Sequence, residues 1–183
     1  MSLIRLEEIG FEIFQPDGWE SLCLEEAREN LRNSLEGTKI GLSEFARSPV
    51  PVIYLRWPHH DPLQVTPSAQ VKLRLRQETT LMDRTRFIEW SIQNLKRAHW
   101  AMEMIEANDT FLLGGVPGIL LHYQAELLTE DGKPIPFVSR TFSVVTNDLF
   151  YTIGLAGPPA GPFARAEDLR AIERSIRITP DWM

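Results

Sequence analysis

Cys23 is the only cysteine in the 183-residue sequence, so no intramolecular disulfide can form and the fold does not depend on an oxidising compartment. No run of roughly 18 apolar residues occurs, which excludes a transmembrane helix. Met1 to Glu8 carries charges every few positions and lacks the apolar stretch of a secretory leader, so the expected location is cytoplasmic. An excess of basic charge is also missing: 19 Lys and Arg stand against 25 Asp and Glu, a net charge of −6. That argues against nucleic-acid binding through a general positive field.

Catalytic signatures are equally scarce. No G-x-S-x-G elbow presents a nucleophilic serine. Cys23 precedes a helical pattern, where a helix N-terminus would lower its pKa, but Leu22 and Leu24 beside it suit plain packing. Gly114-Gly115-Val116-Pro117-Gly118 is glycine-rich, yet it lacks the Lys and Ser/Thr of a phosphate loop and opens no helix. It reads as a tight turn. No cofactor and no enzymatic activity are expected.

What the chain does contain is strand periodicity. With 43% hydrophobic and 24% charged residues it has material for one globular core. Gly118–Leu128, Pro136–Thr146 and Leu149–Ala156 read as three long strands, followed by an amphipathic helix from about Ala164 to Ile176. Their connections are too short for a parallel return, so the three are antiparallel neighbours. Glu130-Asp131-Gly132-Lys133 is a hairpin turn.

Upstream, a short strand over Ile9–Phe14 meets the turn Gln15-Pro16-Asp17-Gly18. Helical spacing follows from Leu24 to Leu35, with a second strand at Ile40–Ala46. Five prolines between Ser48 and Ser68 exclude a long helix there, although Val52–Trp57 is apolar enough for a strand. Ala69–Arg76 alternates cleanly, Val71, Leu73 and Leu75 on one face and Lys72, Arg74 and Arg76 on the other. The main helix is expected from Leu81 to about Ala101, capped by Thr79 or Thr80, with a stripe of Ile88, Ile92, Leu95 and His99. A strand from Met104 to Leu113 has a bulge at Asn108-Asp109.

Three groups of side chains could carry function. His59, His60 and Asp61 are the one cluster of metal-ligand types, set against a solvated proline-rich loop. Lys72, Arg74 and Arg76 form a basic stripe; joined on the same face by His122, Gln124 and Arg140, it would receive an acidic partner or anionic ligand, or simply be solvated. Trp90, with Trp100 on the same helix, offers an indole as a partner anchor, or packs beneath the proline-rich stretch.

The order of these pieces resembles the PsbP-like superfamily, which includes the Ran-binding Mog protein, DcrB-type proteins and the bacterial DUF1795 group. The residues that carry the resemblance are the opening Phe11-Glu12-Ile13-Phe14-Gln15-Pro16-Asp17-Gly18-Trp19, the strand entry Pro67-Ser68-Ala69-Gln70-Val71-Lys72-Leu73, Gly115-Val116-Pro117-Gly118, and the closing helix with Ser175-Ile176-Arg177. The resemblance implies an α+β fold, an antiparallel β-sheet with helices packed against it, as one domain over residues 1–183 with a Pro-rich insertion at about 48–68. Members of the superfamily act mostly as binding or assembly factors, among them a photosystem accessory protein, a GTPase-binding protein and chaperones for secreted toxins. A soluble, non-enzymatic module that recognises a protein partner is therefore expected, chaperone-like for a secreted effector in its most concrete form. The alternative is a small-molecule or metal-binding protein using the His59-His60-Asp61 loop.

Overall fold

Alternating apolar residues dominate the chain, and strands form where they alternate. A computed structural model describes residues 2–22, 51–58, 64–75, 83–129, 132–146 and 149–179. In chain order these carry β1 (Ser2–Leu6), a 3-10 turn (Glu7–Ile9), β2 (Phe11–Gln15), β3 (Glu20–Leu22), β4 (Pro51–Arg56), β5 (Ser68–Leu75), α1 (Arg84–Ala98), β6 (Trp100–Leu113), β7 (Val116–Leu128), β8 (Pro134–Val145), β9 (Leu149–Gly157), α2 (Ala166–Ser175) and β10 (Arg177–Ile178). The helix expected at Leu24–Leu35 and the strand at Ile40–Ala46 lie outside the described residues.

Seven strands form one sheet in the order β3-β4-β5-β9-β8-β7-β6, and β1-β2-β10 form a small second sheet. β7, β8 and β9 are antiparallel neighbours, as their short connections require. The turn Gly114-Gly115 joins β6 to β7 with both residues at positive φ. A Cβ on Gly114 would stand 2.9 Å from the Ile178 nitrogen and 3.0 Å from the Arg177 Cα, so both its conformation and its neighbours require glycine.

The two faces of the large sheet are covered differently. On one face Val71, Leu120, Phe142, Val144 and Ile153 meet Phe11 and Ile13 of the small sheet and Ile172 and Ile176 of α2, all fully buried. Tyr151 stacks on Phe11 at a ring distance of 5.8 Å and donates its hydroxyl to the Ile9 carbonyl. The Phe14 amide donates to Ser175 Oγ and the Trp19 indole to Asp168, so the N-terminal strands are tied to α2 by polar as well as apolar contacts. On the other face a smaller cluster of Tyr123, Ala125 and Phe137 meets Leu95 of α1, with Met102 and Met104 of β6.

The antiparallel sheet with helices packed against it is the expected architecture, and three local expectations change. α1 is capped by the Asp83 side chain, which accepts from the Thr85 amide at 2.7 Å, and the expected caps Thr79 and Thr80 lie outside the described residues. The helix ends at Ala98, with His99 extended, and Trp100 belongs to β6, where it pairs with Glu126. No proline or glycine marks that end; sheet pairing decides it. β1, β3 and β10 are too short for their alternation to stand out and form by pairing with β2 or β4.

Candidate functional site

Side-chain alternation on β5 puts Lys72 and Arg74 on the face that α1 covers. There α1 and strands β5, β7, β8 and β9 enclose a groove of about 360 Å³. Phe87, Trp90, Ser91, Asn94, Leu95 and Ala98 line it from the helix, a spacing of three and four residues that forms one stripe. Leu121, Thr141, Ser143, Phe150 and Thr152 line it from the sheet. The expected stripe of Ile88, Ile92, Leu95 and His99 is half-buried beside it, and α1 has no fully buried residue.

Aromatic rings organise this groove. Phe87 lies between Trp90 and Phe150, at ring distances of 6.1 and 5.9 Å. The Arg74 guanidinium sits 4.1 Å above the Phe150 ring, a cation–π contact that holds it at the groove while leaving its N–H donors available. Trp90 remains 53% exposed, unusual for so large an apolar surface. Among the described residues, no acidic side chain lines the groove to offset Lys72 and Arg74.

Three of the residues singled out in the sequence, Lys72, Arg74 and Trp90, thus converge on one groove. Arg76, His59, His60 and Asp61 lie outside the described residues. Phe87, Leu121 and Phe150 were not singled out; the alternation of β9 and the helical spacing from Trp90 were the available signals. His122, Gln124 and Arg140 do not extend the basic stripe. His122 pairs with Arg140, Arg140 with Leu155 and Leu155 with Ala69. Ala69 is an odd number of residues from Lys72, so this row occupies the opposite face of the sheet. Nor does Trp100 share a helix with Trp90.

That opposite row lines a second cavity, of about 470 Å³, between the sheet and α2. Its charges are mostly matched. Glu173 of α2 accepts two hydrogen bonds from Arg140, both at 2.9 Å, and Arg170 pairs with Glu167. Burial, and then the nearby Arg140 charge, lower the His122 pKa against the opposing pull of Glu106 and Glu173. On the α1 face, burial alone lowers the pKa of His99, which lies between the rings of Tyr123 and Phe137 and whose Nδ1 has no hydrogen-bond partner. Among the described residues, no group of three His, Cys, Asp or Glu side chains could hold a metal ion, and no helix is long and apolar enough to cross a membrane.

No protein-family pattern and no curated protein sequence match the chain. Solved structures do. LpqN, described as involved in cell envelope biogenesis of Mycobacterium tuberculosis, superposes with a TM-score of 0.56 at 15% identity, over 93% of this chain and 83% of that one. The cyanobacterial PsbP protein CyanoP from Synechocystis sp. PCC 6803 superposes with a TM-score of 0.54, also at 15% identity, over 93% of this chain and 87% of that one. Identity this low speaks for architecture alone, and the architecture is the one the strand and helix order implied: the chain has a PsbP-like fold.

Proposed function

We propose that this protein is a soluble, cytoplasmic, non-enzymatic binding or assembly module, and that it recognises a protein partner through the groove between α1 and the large sheet. A chaperone-like role toward a secreted effector is the most concrete form of this reading. One observation carries it. The sheet's α1 face keeps an open apolar groove with Trp90 53% exposed at its edge and, among the described residues, no acidic side chain lining it, while the cavity beside α2 has its Arg140 charge matched by Glu173. Exposed aromatic anchors in grooves are where protein interfaces concentrate their binding energy.

Site-specific crosslinking in the native host tests this. A photoreactive amino acid in place of Trp90 should trap a discrete protein species that the same group in place of Glu7, in the 3-10 turn between β1 and β2, does not. Equal adducts from both positions, or none from either, would count against the groove as the docking site.

A further inference from the structure

We infer that the occupant of the α1 groove is a short acidic segment of the partner, whose large apolar side chain fills the aromatic pocket and whose carboxylates meet Lys72 and Arg74. This deepens the proposed function and rests on it. Successive residues on one face of a strand stand about 7 Å apart, so the two cations make a pair of fixed spacing along β5. No acidic side chain among the described residues lining the groove neutralises either of them. Phe150 holds Arg74 from one side through its ring face at 4.1 Å, which leaves the guanidinium edge to donate to a carboxylate in a forked pair. The hydroxyls of Thr141, Ser143 and Thr152 line the sheet side and can bond a peptide backbone. An acidic-x-acidic spacing next to a Leu, Phe or Trp matches these positions.

Aromatic rings beside cations also suit a single-stranded nucleic acid, but the charge of the whole molecule separates the two. Exposed charges act over about 8–10 Å at ordinary salt, so a short segment meets chiefly the two cations. A nucleic acid extends beyond that range into the field of a chain of net charge −6. The acidic peptide is the better match.

Peptide display on the folded protein tests the inference. Selection should enrich acidic-x-acidic sequences flanked by a large apolar residue. Binding of a selected peptide should weaken about tenfold or more in R74S and again in K72S, as expected for charge-assisted bonds, and should fall with added salt. The double variant K72E/R74E should enrich basic peptides instead. Neutral or basic peptides that bind the wild-type protein and depend on Trp90 would overturn the inference while leaving the groove as a docking site. Peptides indifferent to Trp90→Ser, or none at all, would remove both. Tighter binding of an oligothymidylate than of every peptide, lost in K72E/R74E, would overturn the acidic-protein assignment in favour of nucleic acid.

Discussion

The two faces of the seven-stranded sheet follow the same alternation and end up with opposite characters. On the α2 face, Ile172 and Ile176 are fully buried against Phe142, Ile153 and the small sheet, and Glu173 is clamped by Arg140. On the α1 face, a longer helix buries no residue completely and leaves a groove between its aromatic side and the strands. Burial on this scale is the main source of stability, so the α2 face holds the fold together. The α1 face retains apolar surface that the described residues leave open, Trp90 foremost.

The sharpest test of the contrast compares equivalent truncations. Ile172→Ala should cost about 2–5 kcal/mol in urea denaturation, because its fully buried site leaves a cavity. Leu95→Ala, on the half-buried helix, should cost clearly less. Equal losses would erase the distinction between the faces. Gly114→Ala ranks next. Its φ of +61° and the backbone of β10 beside it leave no room for a methyl group, and the strain alone amounts to about 1–3 kcal/mol. The measured change should come with loosened packing of β10, read as faster amide exchange at Ile178.

Breaking the clamp on the α2 face should have a smaller effect. Glu173→Gln removes the charge from a partly buried two-bond pair and should lower stability by about 1–2 kcal/mol, with Arg140 left facing the cavity. A change near zero would mean that apolar contacts alone hold α2.

Acid stability compares one histidine from each face. His99 and His122 both have folded-state pKa values below the ordinary 6.5, so below that pH the unfolded chain binds more protons and stability falls as pH falls. The loss begins near 6.5 and continues until the folded histidines also protonate. Substituting either residue by Gln should flatten this acid limb. His122 contributes the extra effect of the Arg140 charge, which H122Q removes and H99Q does not. An unchanged limb in both variants would place the acid sensitivity elsewhere.

The smallest expected change in stability is at Trp90. Trp90→Ser alters a half-exposed side chain and should shift stability by no more than about 0.5 kcal/mol, while abolishing the Trp90-dependent capture of partner or peptide. A large destabilisation would make Trp90 a core residue, and the difference between the faces would shrink.

Residue pattern alone identified β5, β7, β8, β9 and α2, since each carries several periods of alternation or helical spacing between clear turn signals. The antiparallel order of β7 to β9 followed from connections too short for anything else. β1, β3 and β10 escaped notice because two to five residues hold too little periodicity and their formation depends on a neighbour strand. The end of α1 escaped for a related reason: His99 and Trp100 suit a helix locally, and the pairing of Trp100 with Glu126 draws them into the sheet.

Sequence by itself therefore determined the class of fold and the residue types available for recognition: two cations on one face of β5 and an indole at helical spacing from Phe87. Only the tertiary structure decided which of them meet. Register, which is not written in any one strand, sent His122 and Arg140 to the α2 face and brought Lys72, Arg74, Phe150 and Trp90 together on the other. A shift of one residue in a strand reverses its faces, so the site belongs to the pairing of strands rather than to any segment alone.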